Sequence, residues 1–122
     1  MDIRTLEDAA INDRGGQRSY LLAGPDDSSR VMITWIASPC GTSQPVHRHE
    51  HAEQVYVVVR GCGRMTVAGE TAEVGPGTLI RVPPGTDHAI QGLTVDPLTV
   101  VTATAPPFPF PVDSPFQFTH AR

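Results

Sequence analysis

Glycine and proline interrupt this chain so often that a long helix has little room to form. The 122 residues include 12 prolines and 11 glycines. Proline lacks the amide hydrogen that a helix interior or a central strand needs, and glycine adopts turn conformations at little steric cost. Between these breaks lie short runs rich in β-branched residues, at 18–23, 30–37, 53–60, 64–68, 71–74, 78–82, 88–93 and 98–105. The pattern predicts about eight short strands with turn signals about every eight to twelve residues, hence an all-β sandwich or barrel. Residues 24–29 read as a turn, and Gly69-Glu70 as a tight hairpin turn. Residues 5–11 read as one helical turn, with Thr5 as cap and Glu7 and Asp8 beside it. We expect one domain over 1–122, with a barrel core at about 18–105 and a Pro/Phe-rich tail at 106–122.

Charge and composition exclude several classes of function. The formal net charge of −4 argues against nucleic acid, because phosphate binding needs a basic surface. All 9 basic residues are arginine, so no lysine Schiff base can form in this chain. Met1–Arg4 are followed by acids rather than an apolar run, and no apolar stretch reaches the ~20 residues of a membrane helix. The expectation is a cytoplasmic protein with no membrane partner. Cys40 and Cys62 are too few for a disulfide framework and read as free buried thiols.

The segment Pro45–Gln54, PVHRHEHAEQ, concentrates polar ligand chemistry directly before the apolar run Val55–Val59. His47 and His49 stand two apart, on one face of an extended segment. Gly41 precedes His47 by five intervening residues, Gln54 follows His49 after four, and Gly61 ends the stretch. Further on, Gly77, Pro83-Pro84-Gly85 and His88 repeat a fixed spacing. These two stretches resemble the two motifs of the cupin superfamily, which read glycine, HxH, glutamate or glutamine, glycine, and then glycine, PxG, histidine. The asparagine that often ends the second motif is Gly92 here.

The resemblance implies a double-stranded β-helix, or jelly-roll, barrel that holds one divalent transition metal on His47, His49, Gln54 and His88. Fe, Mn, Ni, Co and Zn all suit imidazole and carbonyl-type donors. Glu53 is the alternative to Gln54. It has the more usual ligand chemistry, but it lies one residue too far from Gly61. Strand alternation then sets Gln54, Tyr56 and Val58 inward and Glu53 outward. Three neutral imidazoles and a neutral amide would leave the ion's charge uncompensated, which favours anionic substrates and Lewis-acid chemistry.

Three further side chains are candidates for proton transfer or substrate contact. Tyr56 faces inward beside Gln54, where it either acts or packs the core with a satisfied hydroxyl. His51 falls at the expected barrel mouth. Arg81 lies on the strand leading to His88 and clamps a carboxylate if inward, or is a surface charge if outward. His120 is expected to lie in a disordered terminus.

Val55, Val57 and Val59 share the outer face of the same strand, and leaving them in water costs roughly 1.5–3 kcal/mol each. The N-terminal segment, the phenylalanine-rich tail or a second copy must cover them. The tail's prolines leave few backbone donors, so a homodimer in contact at or near residues 55–59 is expected.

The functional expectation is a small metal-dependent lyase, isomerase or cyclase acting on an oxygen-rich small molecule. The layout of GGQRSYLLAGP, a strand and the HxH motif looks like the small cupins of aromatic polyketide pathways, which are assigned as cyclases. A metal-dependent oxygenase and a non-catalytic ligand-binding or sensor module are the alternatives.

Overall fold

The computed structural model describes residues 1–110 and the backbone of 118–120. Among the described residues ten strands run in chain order: β1 (Ala10–Arg14), β2 (Gln17–Ala23), β3 (Met32–Ser38), β4 (Glu53–Arg60), β5 (Gly63–Val67), β6 (Glu70–Val74), β7 (Leu79–Val82), β8 (His88–Gly92), β9 (Leu98–Ala105) and β10 (Phe118–His120). Seven form one sheet in the order β10-β1-β2-β3-β9-β4-β7, and three form a second in the order β6-β5-β8. Among the described residues every strand pairing is antiparallel, from β1–β10 to β5–β8. The architecture is the expected all-β double-stranded β-helix.

Two-residue alternation builds the core. Along β3, Met32, Thr34, Ile36 and Ser38 are buried while Ile33, Trp35 and Ala37 stay partly exposed. Ile36, Tyr56, Val58, Met65, Val82, Ile90, Leu98 and Val100 pack together between the sheets. Each large side chain there contributes about 1.5–3 kcal/mol by leaving water. Next to this apolar half lies a polar one. Thr34 hydrogen-bonds Thr102 across the β3–β9 pair, and Gln54 Nε2 donates to Thr104 Oγ1 at 3.0 Å across β4–β9.

The N-terminus departs from the sequence expectation. The helical part of 5–11 is a single 3-10 turn, Leu6–Asp8, and the Thr5 side chain does not cap its backbone. Residues 10–14 are a strand because Gly15 and Gly16, at φ 57° and 96°, fold them back on β2 in a tight hairpin. The sheet therefore starts at Ala10, ahead of the expected core edge at 18. The β5–β6 turn sits one residue earlier than expected, on Ala68 and Gly69, and Glu70 is already in β6.

Cys40 and Cys62 are free but exposed, contrary to the buried expectation. Both lie in connections rather than strands, flanking Leu93: Cys40 Sγ donates to the Leu93 carbonyl at 3.4 Å and the Leu93 amide donates to the Cys62 carbonyl at 3.0 Å. On β4, Tyr56 and Val58 are each 1% exposed, whereas Val57 and Val59 keep 38% and 47% of their surface, so the described chain leaves that outer face partly open. Among the described residues no helix is long and apolar enough to cross a membrane. Phe116 of the tail lies outside the described residues, as does the side chain of His120, whose backbone pairs with Ala10.

Candidate metal centre

His47 and His49 lie in the segment between β3 and β4, and the sheet edge holds that segment in place. The His47 and His88 backbones bond to each other in both directions, at 3.1 and 2.9 Å. The Gly85 amide donates to the His49 carbonyl at 2.8 Å. Gly85 makes that contact at φ 68°, a conformation that glycine adopts freely. The two motif stretches are thus hydrogen-bonded to one another, which explains why a PPG turn and an HxH segment must occur together.

One ring nitrogen from each of His47, His49 and His88 lies within 4.8 Å of the others. The ring centroids are 4.3 Å apart for His47–His88, 5.2 Å for His47–His49 and 5.3 Å for His49–His88. The tautomers follow from the partners. His47 Nδ1 meets the Pro45 carbonyl at 2.9 Å and His88 Nδ1 meets the Thr86 carbonyl at 2.9 Å. A carbonyl only accepts, so both Nδ1 atoms carry hydrogen and each neutral ring presents an Nε2 lone pair. Burial drives the His47 and His49 pKa values down to about 4, and His88 is lowered by the same cause. At neutral pH all three are uncharged donors.

His88 is fully buried, yet its Nε2 has no hydrogen-bond partner, and neither does the buried Gln54 Oε1. Buried polar atoms left unpaired cost about 1–3 kcal/mol each. Three neutral imidazoles and orphaned acceptor atoms fit a divalent transition metal, which would satisfy these lone pairs. Glu53 points to the opposite face of β4, where it pairs with Arg81.

A cavity of about 230 Å³ opens beside the histidines. Tyr56, Gln54, Thr34, Met32 and Ile36 line it together with His47 and His49. Tyr56 is buried, and burial holds its hydroxyl above its ordinary pKa. Phe108 stacks on His49 at 4.4 Å and 24°, and with Phe110 it borders the cavity. The tail's described phenylalanines therefore lie against the histidine cluster rather than over the outer face of β4. His51 is exposed at the mouth, in an adjoining hollow with Arg48 and Phe108. Arg81 is not in the cavity, because the pairing of Val55 with Arg81 sets it on the outer face of β7, beside Glu53.

Sequence reasoning missed the part of the lining that β1 and β2 supply through Asn12, Arg14 and Ser19. The signal was there in the Gly15-Gly16 pair before strand 18–23, which marks a hairpin and makes the preceding residues a strand.

A family model described as a cupin domain matches residues 34–104. An uncharacterised protein of Methanocaldococcus jannaschii is 34% identical over 70 residues, 57% of this chain and 56% of that protein, so the chain spans about half the length of that relative. The solved structure of KdgF from Halomonas superposes with a TM-score of 0.72 at 22% identity, covering 80% of this chain and 86% of that one. An RmlC-like cupin from Shewanella frigidimarina superposes at 0.74 with 24% identity, covering 87% of this chain and 91% of that one. At such identities the structural likeness is one of fold.

Proposed function

This chain belongs to the cupin superfamily, and from that premise we propose a small metal-dependent enzyme acting on an oxygen-rich, anionic small molecule by lyase, isomerase or cyclase chemistry. His47, His49 and His88 would hold one divalent transition metal, with Gln54 as the fourth ligand. The observation that carries the reading is that His88 Nε2 and Gln54 Oε1 are both buried acceptors without partners, and that His88 stands in one cluster with two further neutral imidazoles. When bound, the ion would supply Lewis-acid polarisation of a carbonyl or enolate oxygen.

The chain's own residues supply the rest. Tyr56, kept protonated by burial, offers a hydroxyl for a hydrogen bond or a proton in the cavity lining. Phe108 and Phe110 form an apolar rim that sheds water from the site. His51, exposed in the adjoining hollow, would be the side chain to pass protons to solvent.

We extend the reading to assembly and location. Leu79, 61% exposed, is the cross-strand partner of Val57. With Val59 they make an apolar strip that a second copy would cover in a symmetric dimer. Two free, exposed thiols suit a reducing cytoplasm.

The test starts with elemental analysis of protein expressed in metal-replete medium. About one divalent ion per chain is expected, and His49→Ala should lose it. Metal-loaded protein is then incubated in D₂O with a panel of oxo- and hydroxy-acids, and deuterium incorporation next to the carbonyl is followed by NMR. A chain free of transition metal would sink the metal reading. Full loading without exchange or turnover would instead leave a ligand-binding module.

A further inference from the structure

The proposed ligands differ in what holds them from behind. The His47 and His88 rings are fixed through Nδ1 by the carbonyls of Pro45 and Thr86, main-chain atoms that no side-chain change removes. Gln54 is fixed by a side chain. Its Nε2 donates to Thr104 Oγ1 at 3.0 Å, and its Oε1 stays buried without a partner. Thr104 lies on β9, which pairs with β3 on one side and β4 on the other, and its cross-strand partners are Met32 and Gln54. It is fully buried, and the cavity is lined by Gln54 rather than by Thr104. Thr104 therefore meets Gln54 without meeting what enters the cavity. Two residues earlier on the same face, Thr102 stands opposite Thr34 and hydrogen-bonds it. Each of these buried threonines thus faces a polar side chain directly across a strand pair, where side chains interact most closely. Further along that face Val100 packs into the apolar core. A valine would fill the threonine positions equally well by shape, so the hydroxyls are explained by their partners.

An amide ligand raises a difficulty that a carboxylate does not. A glutamate has two equivalent oxygens. The two ends of a glutamine have nearly the same shape and opposite chemistry, because the oxygen offers lone pairs and the nitrogen only hydrogens. A half-turn about the last side-chain bond would present NH₂ to a cation and abolish the ligand. With the oxygen presented, the buried NH₂ needs an acceptor, since a buried donor without one carries its full desolvation penalty. We propose that Thr104 is the positioning residue of the metal centre: its hydroxyl oxygen takes a Gln54 amide hydrogen and so leaves Oε1 as the end presented to the ion. The inference rests on the metal reading above and goes beyond it, to a residue outside the ligand set. It also implies a difference between glutamine and glutamate at this site. A carboxylate has no wrong orientation to exclude, so a chain with Gln54→Glu should depend on Thr104 far less.

The test titrates zinc into the full-length chain by calorimetry. Thr104→Val should weaken zinc binding by about 10–100-fold, the usual effect of removing a ligand's outer partner, while Thr104→Ser, which keeps the hydroxyl, should stay within about threefold of wild type. In a chain carrying Gln54→Glu, adding Thr104→Val should cost less than about threefold, whereas a residue that only supported the strand would cost the same in both backgrounds. Wild-type protein gives a readout that needs no variant to fold. In NMR spectra of the metal-free and zinc-loaded chain, the Gln54 Nε2 hydrogens should show an Overhauser contact to the Thr104 methyl group, and zinc should shift the Gln54 side-chain carbonyl carbon. Zinc affinity within twofold of wild type in a folded Thr104→Val protein would overturn the inference and leave the metal reading standing, as would equal losses in the two backgrounds or a missing Overhauser contact. A wild-type chain that takes up no zinc would overturn the metal reading and this inference with it.

Discussion

Replacing Gln54 by alanine separates the two candidate fourth ligands, and its size can be worked out from the contacts of β4. In the metal-free chain the change removes one hydrogen bond, Gln54 Nε2 to Thr104 Oγ1 at 3.0 Å, worth about 1 kcal/mol net. It also removes one buried methylene group, about 0.8 kcal/mol. Against these losses it deletes a buried acceptor without a partner, Oε1, which costs about 1–3 kcal/mol to keep. The terms nearly cancel, so metal-free stability should move by no more than about 1.5 kcal/mol. With metal the balance differs. Outer partners of metal ligands alone are worth about 10–100-fold in affinity, and a direct ligand at least that. The loss is about 1.4–2.7 kcal/mol of metal-linked stability. For a domain of this size that removes about 4–13 °C from the rise in Tm that saturating metal produces. Glu53→Ala breaks only an exposed pair with Arg81, worth about 0–1 kcal/mol, and should leave the metal-induced rise intact. Thermal unfolding of both variants with and without Zn²⁺ or Ni²⁺, beside a calorimetric titration, measures all of this. The reasoning is refuted if Glu53→Ala lowers metal affinity as much as Gln54→Ala does. The strand register would then be off by one in solution.

Three other outcomes follow from the same geometry. Gly92→Ala should destabilise the fold by about 1–3 kcal/mol, because the new Cβ would overlap the Ser38 carbonyl oxygen and sit 2.7 Å from that of Pro39; a denaturant midpoint equal to wild type would contradict that packing. Metal-free protein should lose stability as pH falls from about 6.5 toward about 4, since the unfolded chain protonates its histidines near 6.5 while folded His47 and His49 stay neutral down to about 4; NMR titration of the assigned His47 and His49 imidazoles near pH 6.5 in the folded chain would refute it. Light scattering should give twice the 13.1 kDa of one chain, reduced to one chain by Val57→Glu with Val59→Glu; a wild-type mass of one chain would leave the outer face of β4 uncovered by a second copy.

What the sequence made legible depended on how far each feature's cause extended along the chain. Strand β4 could be read to its exact ends, and β9 likewise, because a run of β-branched residues between turn signals is a local cause. The histidine cluster was legible for a different reason. Its residues are far apart in sequence, but the backbone bonds joining His47 to His88 and Gly85 to His49 fix their spacing relative to turns that glycine and proline announce. Gly92 shows the same logic in reverse. The family's frequent asparagine cannot stand there in this packing, because the Ser38 and Pro39 carbonyls fill the space a side chain would need. The exposure of Cys40 and Cys62 was not legible, because burial in a connection depends on which segments pass over it rather than on the residues themselves.

The part of the cavity lining on β1 and β2 escaped for a related reason, and its placement bears on function. The β1 sequence AINDR carries three polar residues in a row and shows no clean alternation, so its own residues do not mark it as a strand and only the Gly15-Gly16 pair that follows does. Its pairing with β2, and the β1–β10 bonds beyond, supply the missing cause. The polar residues that spoil the alternation are Asn12 and Arg14, the ones that face the cavity. A strand whose only task was to close the barrel would favour apolar residues at those positions, because a partly buried arginine has a desolvation cost to offset. The departure from a good strand pattern is therefore informative: it falls on residues that line the same cavity as His47 and His49.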